Sequence, residues 1–120
     1  MLKKLLWLDD CRTPDEDWVR MFSPIGINVD IHWVRNYNKF VAWIENHGLP
    51  DGICFDHDLG LDEKGEAVGK TGHDCAKWLV DYCLDNDLKV PMFNSQSGNP
   101  AGRANILGLL NSFRKYQDKN

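Results

Sequence analysis

The chain has 120 residues, 42% of them hydrophobic, and a formal net charge of −4 at pH 7. That length accommodates one domain with a real core, residues 1–120 taken as a unit, and is too short for two. Net acidity disfavours the basic face that long duplex nucleic acid requires. No apolar run is long enough for a membrane span and no signal-peptide pattern is present, so the expected location is cytoplasmic and away from membranes.

Lys4 to Leu8 reads as the first strand and runs into Asp9-Asp10. After the turn Thr13-Pro14-Asp15 a short helix is expected from Asp17 to Phe22, closed by Pro24 and Gly26. Asn28 to Val34 alternates as a half-buried outer strand would. A helix starting near Asn36 or Asn38 follows, with Tyr37, Phe40, Val41 and Ile44 on one face, and stops at Gly48 and Pro50. Gly52 to Phe55 is a short unalternating run, the pattern of a strand covered on both sides.

Leu61 to Lys70 shows no periodicity and has the length of a lid beside a site. Thr71 opens the next helix with Asp74 three residues on, as in a capping box, and Cys75, Trp78, Leu79, Tyr82 and Cys83 form its packing face. Lys89 to Phe93 reads as the fourth strand, and Pro91 assigns it to an edge because proline lacks a ladder donor. Asn99-Pro100 begins a final helix that buries Ile106, Leu107, Leu110 and Phe113, with a frayed tail from Lys115 to Asn120.

The order βαβαβαβα with right-handed crossovers gives an α/β fold: a four-stranded parallel sheet of order 2-1-3-4 with both faces covered. Cys54 falls in a strand and Cys75 and Cys83 in one helix, so the four cysteines read as reduced thiols rather than disulfides or a zinc site. Trp7, Trp33, Trp43, Phe55 and Phe93 read as core; Trp18, after the acidic turn, reads as core as well, with base stacking as the alternative.

In that order the first and third strands are neighbours, and their ends bring Asp9, Asp10, Asp56 and Asp58 to one crevice, where open α/β sheets place ligands. Crowded carboxylates repel unless a cation joins them, and hard oxygens suit Mg²⁺ or Mn²⁺. Asp9, Asp10 and Asp56 are the first candidate ligands. Asp58 either ligates or holds His57 or Arg12. His57 follows the strand directly and suits proton transfer; the alternative is a structural bridge between Asp56 and Asp58. Arg12 and Arg103 are candidate phosphate clamps, Arg103 in the first turn of a helix whose free N–H groups already favour an anion. Ser97, Gly98 and Asn99 form a loop able to wrap a phosphate, and His73 lies beside a helix start where it can approach one.

The arrangement resembles the receiver domain of response regulators, a flavodoxin-like three-layer fold, here truncated because the fifth strand is absent. By that resemblance Asp9, Asp10 and Asp56 hold Mg²⁺, and Ser95 or Ser97 supplies the hydroxyl after the fourth strand. The chain is more similar still to the receiver-like family that processes cyclic phosphates, associated with RNA repair and phage–bacterial conflict. That similarity rests on Trp7-Leu8-Asp9-Asp10-Cys11-Arg12-Thr13-Pro14, Asp56-His57-Asp58-Leu59-Gly60, Thr71-Gly72-His73-Asp74 with Trp78-Leu79, and Ser97-Gly98-Asn99-Pro100-Ala101-Gly102-Arg103 with Asn105. Family members commonly carry a histidine just before the serine of the last motif; this chain has Gln96, which can hydrogen-bond a phosphate but cannot shuttle a proton.

The resemblance implies a metal-dependent phosphodiesterase or phosphohydrolase for a cyclic phosphate, either a 2′,3′-cyclic RNA end or a cyclic nucleotide. The expected partner is thus a small phosphorylated nucleotide or RNA end, the assembly a monomer or small homo-oligomer. Two alternatives stand beside it: a non-catalytic module that binds a phosphorylated nucleotide, and a stand-alone phosphoacceptor receiver.

Overall fold

The computed structural model describes residues 1–60 and 69–119. The elements are β1 (Lys3–Leu8), α1 (Glu16–Phe22), β2 (Val29–Val34), α2 (Tyr37–His47), β3 (Gly52–Phe55), α3 (Gly72–Asn86), β4 (Met92–Ser95) and α4 (Pro100–Lys119). Their strands pair in parallel in the order β2-β1-β3-β4. β1 and β3 therefore lie in the middle, as the two apolar runs require.

Side-chain alternation along the strands divides the interior in two. Leu6, Leu8, Ile53 and Phe55 face α2, α3 and α4, where Phe40, Ile44, Cys75, Leu79, Ile106 and Leu110 complete the larger core. Leu5, Trp7 and Cys54 face the other way and meet Val19 of α1, with Trp18, Phe22 and Ile25 packed around them. Burying each large side chain contributes roughly 1.5–3 kcal/mol, so the face under three helices is the better anchored.

Local chemistry fixes the helix starts. The carboxylate of Asp15 accepts from Trp18 N and caps α1, and Asn36 caps α2 through Lys39 N. Thr71 and Asp74 form the expected capping box on α3: Asp74 N donates to Thr71 Oγ1 and Thr71 N to Asp74 Oδ2.

Four expectations need correction. β4 begins at Met92, after Pro91, and runs on through two polar residues. Proline cannot donate to the ladder, whereas Asn94 Nδ2 donates to Phe22 O at 3.0 Å and Ser95 Oγ to Phe55 O at 2.7 Å, so both polar side chains are satisfied inside. The tail does not fray: α4 continues to Lys119. Gln117 accepts from Val90 N and donates to Leu88 O, and Lys89 pairs with Asp118 at 3.0 Å. Trp33 is not core but about one-third exposed, with a task described below, and Leu107 is half-buried.

Candidate metal and phosphate site

Leu8, Phe55 and Ser95 are register partners across β1, β3 and β4. The next residue on each strand is Asp9, Asp56 and Gln96, and the ladder continues through them. Asp9 N donates to Val34 O, Asp56 N to Leu8 O and Gln96 N to Phe55 O. Three polar side chains thus stand in one row at the carboxyl edge of the sheet, exposed by only 0%, 7% and 3%.

Asp9 is held from every side. Its Oδ1 accepts from Cys11 N at 3.1 Å and Arg12 N at 2.8 Å; its Oδ2 accepts from Arg12 Nη1 at 3.2 Å and Gln96 Nε2 at 3.3 Å. Those four donors match the roughly four lone-pair sites of a carboxylate. The Arg12 guanidinium also donates to Gln96 O at 2.9 Å and lies 4.5 Å above the Trp18 ring. Trp18 stacks on Phe22 as well, so its ring is committed to protein partners.

Three donors that sequence reasoning missed brace the backbone of this loop. Trp33 Nε1 donates to Asp9 O at 2.8 Å, Trp7 Nε1 to Arg12 O at 3.0 Å, and the Arg35 fork to Asp10 O at 3.2 and 2.7 Å. The available signal was chemical: an indole in a strand brings an N–H that must find an acceptor when buried.

Asp56 is handled differently. It accepts from His57 N at 2.9 Å, and its carboxyl is pushed up to about 7, first by burial, then by the Asp9 charge and by the hydrogen-bonded Asp10 carboxyl. One backbone donor does not offset two carboxylates. Ligand atoms of Asp9, Asp10 and Cys11 all lie within 4.8 Å of one another. The Cys11 thiol is raised by desolvation and by Asp10 and Asp9. It is therefore held in its protonated form.

His57 and Asp58 make a separate pair. His57 Nδ1 lies 3.0 Å from Asp58 Oδ1, and Asn99 Nδ2 donates to Asp58 Oδ2 at 3.3 Å. These two bonds hold the Asp58 carboxyl below its ordinary range. Asp58 thus meets the His57 ring, one of the contacts considered for it. Two glycines bring the helix starts against this strand end. A Cβ at Gly72 would sit 1.7 Å from Asp56 O, and one at Gly102 would sit 2.3 Å from the His57 ring. Glycine is costly inside a helix, and at both positions close approach explains it.

The remaining candidates divide. Asn99 Oδ1 accepts from Gly102 N and Ser97 Oγ from Asn99 N, so the Ser97–Asn99 loop is shaped as a cap on α4. Arg103 Nε donates to Ser95 O at 3.0 Å and Nη2 to Asn94 Oδ1 at 3.4 Å, which ties its fork to the end of β4. His73 is half-buried in the first turn of α3. The expected lid falls largely on residues 61–68, outside the described residues; Lys70 at its end lies 4.8 Å over the Tyr37 ring. A cleft of about 410 Å³ opens at the amino end of the sheet, lined by Pro50, Lys89, Met92 and Arg114 among others. It gathers none of these groups, so this cleft and the chemistry lie at opposite ends of the sheet.

The donor set at the carboxyl edge fits a hard divalent cation. It offers carboxylate oxygens of Asp10 and Asp56 beside Asp9, and the buried amide oxygen of Gln96 has no hydrogen-bond partner among the described residues. No helix is long and apolar enough, among the described residues, to cross a membrane.

No curated protein matches the chain. Among solved structures, a chain described as the yeast Spc42 trimeric coiled coil fused to another structure is similar at 17% identity with a TM-score of 0.55. The match covers 95% of this chain and 65% of that one, so this chain spans less than two-thirds of its length, and the likeness is one of fold alone. A family profile described as the cyclic-phosphate processing receiver domain matches residues 4–112. With its 2-1-3-4 parallel sheet and its acidic carboxyl edge, the chain belongs to the cyclic-phosphate processing receiver domain family.

Proposed function

We propose that the chain is a phosphodiesterase that opens a cyclic phosphate, dependent on Mg²⁺ or Mn²⁺, with a 2′,3′-cyclic RNA end or a cyclic nucleotide as substrate. Family membership supports the substrate class. The observation that carries the metal is the Asp56 carboxyl, pushed up to about 7 between two other carboxylates in a buried row. A site built to stay free of cations would have given Asp56 donors, as Asp9 has.

Asp10 and Asp56 would hold the ion, with Asp9 fixed by its own four donors. When bound, such an ion polarises a phosphoryl oxygen and orients water. His57 carries the proton: with Nδ1 turned to Asp58, its Nε2 is the nitrogen left to serve the leaving ribose oxygen. Arg12, 27% exposed at its side chain, offers positive charge to the non-bridging oxygens while remaining on Asp9. The N–H groups of Ser97, Asn99 and Gly102 are taken by acceptors within the loop, so the start of α4 offers an anion its positive helix end rather than those donors. Arg103 supports the end of β4 in this scheme and does not clamp phosphate itself.

A phosphorus NMR time course with Mn²⁺ or Mg²⁺ and a panel of 2′,3′-cyclic, 3′,5′-cyclic and cyclic-dinucleotide substrates tests the reading. Ring opening that disappears in Asp56→Asn is the expected result; no turnover of any substrate sinks it. One observation favours a second reading, a binding module without turnover. Gln96 stands in the buried row and cannot move a proton. Broadening of one ligand's resonance with the ligand recovered intact would select that reading.

A further inference from the structure

We infer that the Gln96 side-chain oxygen accepts a hydrogen bond from a water on the bound divalent cation, so that Gln96 is a positioning residue of the metal site and not a phosphate ligand. The inference rests on the cation reading above. It begins with the direction of the amide. Nε2 donates to Leu8 O at 2.9 Å and to Asp9 Oδ2 at 3.3 Å. The reverse orientation would press an oxygen against two acceptors, so the hydrogen-bond network itself determines which end is which.

The backbone is fixed as well. Gln96 N donates to Phe55 O and Gln96 O accepts from Arg12 Nη1 at 2.9 Å. With both backbone groups and both amide hydrogens engaged, the side chain has no inexpensive way to turn. Its Oε1 is left buried, in a residue 3% exposed, without a partner among the described residues. Leaving such an acceptor unmet costs about 1–3 kcal/mol, and in native proteins an exception of this kind calls for a water, an ion or a ligand.

The chemistry of the neighbours then selects the donor. The amide hydrogens that would greet a phosphate oxygen are already used, and an anionic phosphate has no hydrogen to give Oε1. The Nε2 of the same amide rests on Asp9 Oδ2, and Asp56 follows Phe55, the strand partner of Ser95. What such a row attracts is a divalent cation, and Mg²⁺ in particular dehydrates reluctantly and keeps several waters. Each of those waters is a strong donor. An oxygen locked beside the carboxylates holds one of them in place, as outer-sphere partners orient the ligands of other metal sites.

The test reads the parent protein first. With ¹³C,¹⁵N labelling, the Gln96 side-chain carbonyl resonance is followed during a Mg²⁺ titration, beside the backbone amides of Asp9 to Cys11. A downfield shift of that carbonyl, saturating together with the amides, is expected. Amides that respond while the carbonyl stays still overturn the inference and leave the cation reading intact. No response at either place removes the cation reading and this inference with it. Mn²⁺ affinity, measured from the electron paramagnetic resonance of the free ion, supplies the second arm. Gln96→Met, compared at equal folded fraction, is expected to bind about 10-fold more weakly. Binding within twofold of the parent would make the amide a clamp on Asp9 alone.

Discussion

Asp9 and Asp56 extend neighbouring central strands in one register row, and both are buried, at 0% and 7% exposure. Asp9 receives two backbone N–H groups, a guanidinium and an amide. Asp56 receives one backbone N–H, faces Asp9 and Asp10, and has its carboxyl pushed up to about 7. Burial is therefore not what separates them. Donors are: the end of β1 is complete without a ligand, while the end of β3 holds a carboxylate whose charge the protein does not balance.

The largest effect should come from the completed end. Asp9→Ala strands a guanidinium, an amide and two backbone N–H groups at once, and breaking a buried ion pair from one side costs about 3–5 kcal/mol. Urea unfolding measures this directly. A loss below about 1 kcal/mol would mean that the four donors find other partners and that the two strand ends are not distinct in the way the bonds suggest.

Asp56→Asn should behave in the opposite sense. A carboxyl raised from the ordinary 3.8 to about 7 binds its proton more tightly in the folded chain than in the unfolded one. Well below pH 3.8 both states are protonated and the site costs nothing. As pH rises toward 7 the unfolded chain ionises freely while the folded one resists, so stability falls, by on the order of 2–3 kcal/mol. Asn removes that slope. Unfolding free energies at pH 4.5 and 7.5 should diverge for the parent more than for Asp56→Asn, and Mg²⁺ should restore the parent at the higher pH. Equal slopes in the two proteins would show that Asp56 is compensated after all.

Arg12→Lys sharpens the comparison at an intermediate scale. The guanidinium reaches Asp9 Oδ2 and Gln96 O through one nitrogen while lying over Trp18. An ammonium keeps the charge but not the planar stack. A loss of about 1–2 kcal/mol is expected in the same urea assay. A neutral result would assign the value of Arg12 to charge alone.

Much of this was legible in the chain. Hydrophobic runs gave the strand order, and the Asp pairs that follow Leu8 and Phe55 gave the edge on which the chemistry lies. Capping by Thr71 and Asp74 could be read from spacing because it depends on residues three apart. What could not be read depends on partners distant in sequence. Trp33 looked like core by its apolar ring, yet its N–H reaches a carbonyl 24 residues away. Arg103 looked like a phosphate clamp by its place in a helix turn, but Ser95 and Asn94 at the end of β4 lie within reach of its fork. β4 was placed too early because its polar residues, Asn94 and Ser95, are satisfied by Phe22 O and Phe55 O, contacts that no local pattern encodes.

The smallest effect on stability should come from Asp58→Asn, and that makes it the most discriminating variant for His57. Asp58 is 71% exposed at its side chain and touches His57 and Asn99. Exposed pairs of this kind contribute between 0 and about 1 kcal/mol, so the unfolding midpoint should barely move. Its role is directional: the carboxylate keeps a hydrogen on Nδ1 and so leaves Nε2 as the working nitrogen. An amide can also accept there, but it can donate as well, so one ring tautomer is no longer enforced. Long-range ¹⁵N spectra of the imidazole should show mixed tautomers in the variant and predominantly Nδ1–H in the parent. The rate of ring opening should fall by about tenfold at unchanged stability, a fraction of the roughly 10²–10⁴-fold that general acid–base help supplies, because the imidazole itself remains. A variant with the parent's tautomer and rate would leave Asp58 as surface charge and remove the oriented imidazole from the mechanism.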